Sequence, residues 1–209
     1  MALTTLFDKF TGNYTSYDNT KIVVAGASYK VNYYKGWFCV INGVEYEITS
    51  NSATEIFFNN SLSSIGTFEI VFLGREFLKR IDSDFDDTVK IPNSLISNKY
   101  LMASNDIQIR IEEALKLQIT EDFNPIENIL NLGNLQYGFS YHIAQSVFMD
   151  LNGKFGSSFF NEKSVYFEAI YKTNVKNALS TLIIDRDKDN EADVEEKKES
   201  VGVYRFRRW

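Results

Sequence analysis

The stretch Trp37-Phe-Cys-Val-Ile41, Asn42-Gly43, Val44-Glu-Tyr-Glu-Ile-Thr49 decides the fold class. Two runs rich in β-branched and aromatic residues flank an Asn-Gly dipeptide. A type I′ turn needs positive φ at both central residues, and Asn-Gly supplies it, so the stretch predicts a two-residue β-hairpin. In its second arm Val44, Tyr46 and Ile48 alternate with Glu45 and Glu47, so one face is predicted to be buried and the other wet. Cys39 sits mid-strand between Phe38 and Val40 and reads as a small apolar core side chain.

Working outward, Lys21-Ile-Val-Val-Ala25, Glu55-Ile-Phe-Phe58 and Thr67-Phe-Glu-Ile-Val-Phe-Leu73 add further short strands, separated by Asn59-Asn60-Ser61 and by Gly66 and Gly74. Such closely spaced strands predict a small antiparallel sheet or barrel over residues 1–80. Residues 81–99 read as a hinge: Asp82-Ser-Asp-Phe-Asp-Asp-Thr88 is acidic and turn-like, and Pro92 with Asn93 is expected to stop regular structure.

The period then lengthens to that of a helix, over residues 100–184. Ser104 is the expected cap of a helix with Ile107, Ile111, Ala114, Leu115 and Ile119 on one stripe. Pro125 is expected to open a short helical turn through Leu132. Asn134 to Leu151 carries apolar residues on more than one face, which predicts a central helix buried on two sides. Asn152-Gly153 and Gly156 are expected to end it. A third helix is predicted from about Glu162 to Ile184, with Phe167, Tyr171, Val175, Ala178 and Leu182 facing inward. The fold class is therefore α+β: a small antiparallel β domain, a helical bundle, and over residues 185–209 an acidic hinge followed by an extended C-terminal arm.

Totals narrow the function classes. The chain has 209 residues, a net charge of −6 and a single cysteine. The acidic balance disfavours nucleic acid as the main ligand, because phosphate binding needs a positive surface. One cysteine excludes an internal disulfide. The first ten residues lack the basic start and apolar run of a secretory signal, and no window is apolar enough for a membrane span. No GxxxxGK[ST], GxGxxG, HExxH or CxxC occurs. His142, the single histidine, has no nucleophile or acid placed beside it by sequence, so it reads as a packed residue and no enzymatic activity is expected. The aspartates at 82, 84, 86 and 87 would serve a hydrolase only in a cleft, and read instead as solvated surface.

Asp185, Asp187 and Asp189 alternate, and Glu196 falls at position twelve, as in a calcium loop. Position six is Asn190 rather than Gly, position eight is Ala192, and Arg186 and Lys188 interleave. The alternative reading is a solvated hinge, so calcium binding is the second function class. In the last residues Val201, Val203, Arg205 and Arg207 alternate with Gly202, Tyr204, Phe206 and Arg208, ending on Trp209. Such a strand-like arm either folds back on its own sheet or adds to another chain, with Val203, Tyr204, Arg205, Phe206, Arg207, Arg208 and Trp209 as the partner-binding residues.

The order of parts over residues 100–209 resembles the head–tail connector (adaptor or neck-ring) proteins of tailed bacteriophages. The elements are Tyr171 with Ala178-Leu179 on the last long helix, then Asp185-Arg-Asp187, then Tyr204-Arg-Phe-Arg-Arg208. The β-rich first third departs from the simplest helical adaptors. The resemblance implies a structural virion protein made in the host cytoplasm. It would form a homo-oligomeric ring that docks to portal and tail proteins, with its arm reaching a neighbour. DNA would pass through the channel without sequence-specific binding, which an acidic wall would suit. From the missing motifs and apolar windows, no cofactor, metal or membrane is expected in this reading.

Overall fold

A computed structural model describes residues 10–62, 67–115 and 129–185. The chain divides into two compact units, with the division between Glu76 and Phe77. The first holds seven antiparallel strands: β1 (Phe10–Asn13), β2 (Ser16–Asp18), β3 (Lys21–Val23), β4 (Phe38–Ile41), β5 (Val44–Asn51), β6 (Glu55–Phe58) and β7 (Thr67–Val71). The α+β class holds. The Asn-Gly hairpin forms as its residues dictate: Ile41 faces Val44, with φ of 50° at Asn42 and 81° at Gly43.

The strand order is β1-β7-β4-β5-β6-β3-β2, so the sheet begins and ends on strands that are neighbours in sequence. Asn13 pairs with Thr67 at one end and Ser16 with Val23 at the other. Three residues reach at most about 11 Å. The outer strands of a flat seven-stranded sheet would lie about 29 Å apart. The sheet must therefore curl until its ends meet, as one bent strand, β1 with β2, that pairs with β7 by its first half and β3 by its second. The register shift between Ile48 and Ser50 on β5 supplies a matching bend opposite. Neither β1 nor β2 is legible in sequence, since Phe10-Thr-Gly-Asn13 and Ser16-Tyr-Asp18 carry no apolar alternation.

Inside the curl lie Ile22, Cys39, Ile41, Ile48, Ile56, Phe68 and Ile70, all but excluded from solvent, while Phe38, next to Cys39 on β4, is buried on the opposite face. Burial pushes the Cys39 thiol pKa up to about 12, so it is an inert core group. The long β3–β4 connection is tied down by Asn51, which is buried. Its side chain accepts from the Tyr34 N–H at 2.9 Å and donates to the Lys30 and Ser52 carbonyls at 2.8 and 3.1 Å.

A short helix, α1 (Arg75–Ile81), spans the division, and a 3-10 turn follows at Ser83–Asp86. The helical unit is built on α2 (Asn93–Leu115), α3 (Gln136–Phe155, entered through a 3-10 turn at Leu132–Leu135) and α4 (Ser158–Ser180). Three expectations need correcting. Pro92 does not stop regular structure; it precedes the first turn of α2 and accepts from the Leu95 N–H, a place where a missing N–H costs nothing. Ser104 is therefore no cap but a buried mid-helix residue. Gly153 does not end α3, since one helical glycine costs only about 1 kcal/mol; the helix stops at Gly156, whose φ of 61° is left-handed.

α3 is the central helix, with Phe139, Ile143, Ala144, Val147 and Phe148 wholly buried. α4 begins at Ser158, earlier than its apolar stripe suggests, and stops at Ser180, short of Ile184. There Asn131 captures the departing backbone: its side chain donates to the Thr181 carbonyl at 2.6 Å and accepts from the Ile183 N–H at 2.8 Å. Ile129 and Ile184 then form an isolated antiparallel bridge. No described helix is long and apolar enough to cross a membrane.

Candidate functional site

One polar cluster in the helical unit joins three helices. Asp106 and Arg110 stand one turn apart on α2, His142 and Ser146 one turn apart on α3, and Tyr171 faces both from α4. Arg110 Nε donates to Asp106 Oδ2 at 2.8 Å, and the Tyr171 hydroxyl donates to the same oxygen. His142 Nε2 lies 3.6 Å from it, and its Nδ1 lies 3.4 Å from Ser146 Oγ. The imidazole meets the Tyr171 ring edge-on at 4.7 Å, and Arg110 covers that ring at 5.3 Å.

The electrostatics follow from this placement. Burial lowers the pKa of His142, while the charge of Asp106 pulls it partly back. Burial alone would raise Asp106, yet hydrogen bonds from Arg110 and Tyr171 hold it below the ordinary carboxylate value. Burial, then the bond to Asp106, raises Tyr171. Folding thus gives His142 the acid that its sequence neighbourhood lacks, while Ser146 stands one turn away on its own helix. Their order is acid, imidazole, serine, but the acid oxygen already takes two donors and Ser146 is buried, so the serine has little access to a substrate. The cluster's evident work is to pin α2, α3 and α4 together.

The acidic run is only in part the solvated surface expected of it: Asp86 and Asp87 are exposed, whereas Asp82 and Asp84 are half-buried. Lys163 on α4 donates to Asp82 Oδ1 and Oδ2 and to Asp84 Oδ2. Lys90 pairs with Asp84 at 3.4 Å and Lys79 with Asp86 at 3.1 Å. Asp87 accepts from the N–H groups of Val89 and Lys90. The Lys163 ammonium also lies 4.9 Å from the ring centres of both Phe148 and Phe159. Asp82 and Asp84 thus share one cation, Lys163, while Asp86 pairs with another.

Among the described residues, no group of three or more His, Cys, Asp or Glu side chains is placed to hold a metal ion. Asp185, the first carboxylate of the calcium-like pattern, is fully buried rather than part of a solvated joint. Asp187, Asp189 and Glu196 lie outside the described residues, as do the arm residues Val203 to Trp209 and the turn expected after Pro125. Comparison with known proteins gives no match to a family model, a curated protein or a solved structure.

Proposed function

We propose that this chain is a structural assembly subunit that works by docking to other proteins, and that it is a head–tail connector of the kind its second half resembles. The observation that carries the reading is the apolar surface of the helical unit. Leu101, Met102 and Ile109 on α2, Met149 on α3, and Val165 and Tyr166 on α4 are all exposed. Large apolar side chains gathered on one small unit mark contact sites for protein partners. The two charged clusters described above, by contrast, join elements of the same chain. In this reading the segment Val201–Trp209 reaches a neighbouring subunit, the ring docks to portal and tail proteins, and acidic walls let DNA slide.

Sedimentation of the full chain against a chain ended at Ser200 tests it. The full chain is expected to form large closed assemblies and the shortened chain to lose them. Equal large assemblies from both would remove the arm from the function, and their absence from both would remove the ring.

A further inference from the structure

Asn-Gly occurs twice in the chain, at Asn42-Gly43 and at Asn152-Gly153. The dipeptide has a chemistry of its own. The Gly amide nitrogen, losing its proton to hydroxide, attacks the Asn side-chain carbonyl carbon and expels ammonia, leaving a five-membered imide. Water then opens the imide at either carbonyl. One opening gives aspartate; the other gives isoaspartate, in which the main chain runs on through the side-chain carbon. Both glycines are exposed, and an added Cβ would meet no atom within 4 Å at either. Space and solvent therefore do not separate the two sites; the backbone does.

Ring closure brings the Asn Cβ into plane with the next nitrogen, which in an L residue means a ψ of about −120°, the value at the first central residue of a type II′ turn. At Asn42 the hairpin gives a direct route to it. There φ is 50°, and 81° at Gly43, which is the I′ pattern. Type II′ is reached by turning over the single peptide between the two residues: φ stays positive at the first and becomes negative at the second. Glycine takes either sign of φ without strain. Both turn types close two-residue hairpins, so the ladder from the Ile41–Val44 pair onward is kept through the flip.

Asn152 has no such route. It stands inside α3, where ψ is about −42°, and its carbonyl accepts from the Gly156 N–H at 2.7 Å. Turning its peptide to the imide geometry breaks that bond and takes the Gly153 N–H from its helical acceptor. Even one such bond to break slows the reaction by about fivefold.

We propose that Asn42 is a site of spontaneous deamidation in the folded protein, and that Asn152 is spared. The two products have different consequences. Asp-Gly is itself a favoured I′ pair, so the aspartate form keeps the hairpin and gains a negative charge. Isoaspartate adds a methylene to the backbone of a loop whose length sets the register. Because β4 and β5 lie in the middle of the strand order, the added atom strains the pairing of Val40 with Glu45 and Cys39 with Tyr46.

Ageing the full chain in mildly alkaline buffer, followed by peptide mass mapping, tests the site. A parallel sample in concentrated urea gives the reference, since both dipeptides react alike once unfolded. In the folded chain Asn42 is expected to be converted at least about fivefold faster than Asn152, and at nearly equal rates in urea. Methyl transfer by an isoaspartyl methyltransferase should label the aged chain, and the labelled fraction should unfold at lower urea than the unlabelled one. Asn42→Gly keeps a favoured I′ pair and should remove nearly all of the label. Equal rates in the folded chain, Asn152 reacting first, or full labelling of aged Asn42→Gly would each overturn the proposal. So would an Asn42 that stays intact in the folded chain while the urea sample reacts, since the turn would then block the flip rather than allow it.

Discussion

Lys163 of α4 grips Asp82 through both carboxylate oxygens, at 2.7 and 2.6 Å, across 81 residues of chain. The same ammonium takes Asp84 at 3.0 Å. Replacing it with methionine keeps the stem and removes the charge, leaving two neighbouring carboxylates without their shared cation. Because all three side chains keep some contact with solvent, the expected loss is about 2 kcal/mol in urea unfolding.

The same variant should change the acid limb of stability. Burial alone would push Asp84 up, but Lys163, and after it Lys90, hold it below the ordinary value. A carboxyl depressed on folding stabilises above its unfolded value, near pH 3.9, and that stabilisation disappears as pH falls through the folded value. Lys163→Met should therefore flatten the decline in stability below about pH 4. An unchanged acid profile would remove Asp84 as a contributor.

Gly138 on α3 lies where α4 comes closest. A Cβ there would meet Val175 Cγ2 at 2.6 Å and the Val175 backbone nitrogen at 3.4 Å. Helix propensity alone would make Gly138→Ala stabilising by about 1 kcal/mol. The steric conflict should reverse the sign, to a loss of about 1–3 kcal/mol. Combining it with Val175→Ala should recover part of that loss, and strictly additive effects in the double-mutant cycle would mean the helices simply move apart.

Glu45 on β5 accepts the first two N–H groups of α1, those of Arg75 and Glu76, each at 2.8 Å. Gly74 makes room for it, since a Cβ there would land on the Glu45 carboxylate. Glu45→Ala should cost about 1 kcal/mol and lower amide-exchange protection at Arg75 and Glu76. Gly74→Ala should cost more in the native background than in the Glu45→Ala background, a difference that equilibrium unfolding of the four chains would read.

Because His142 is the single histidine, its ring gives one set of NMR titration signals. The midpoint is expected below the ordinary value of about 6.5, as burial dictates. The unfolded chain then binds the proton more readily, so stability is lost as pH falls through about 6.5 toward the folded value. Asp106→Asn should move the midpoint further down, because Arg110 and Lys99 then act unopposed. An upward shift would contradict the geometry of the cluster.

How much of this is visible in sequence depends on how far apart the cooperating residues lie. The hairpin at Asn42-Gly43 is local and is read from two residues. The inward stripe of α4 is periodic, and its members Phe167, Tyr171, Val175 and Ala178 are all buried. The start of α2 is hidden because Asn93 to Ser97 are mostly poor helix formers, and tertiary packing of Tyr100, Ala103 and Ile107 holds the helix instead. Asp106 and Arg110 are readable as a pair one turn apart, but Tyr171 is 65 residues from Asp106 and meets it only when the helices pack. Lys163 likewise gives no hint of the two aspartates it binds.

The strand that runs through both β1 and β2 has a mechanical consequence. It is the seam of the curled sheet, and one stretch of backbone at Tyr14-Thr15 links both of the sheet's ends. While it is intact, the unpaired edges are those of strands only four and three residues long, too brief to template a visiting strand. A cut or an insertion there would release the seam and lay bare β7 and β3 together. Vulnerability to aggregation in the β unit is thus concentrated at a single dipeptide.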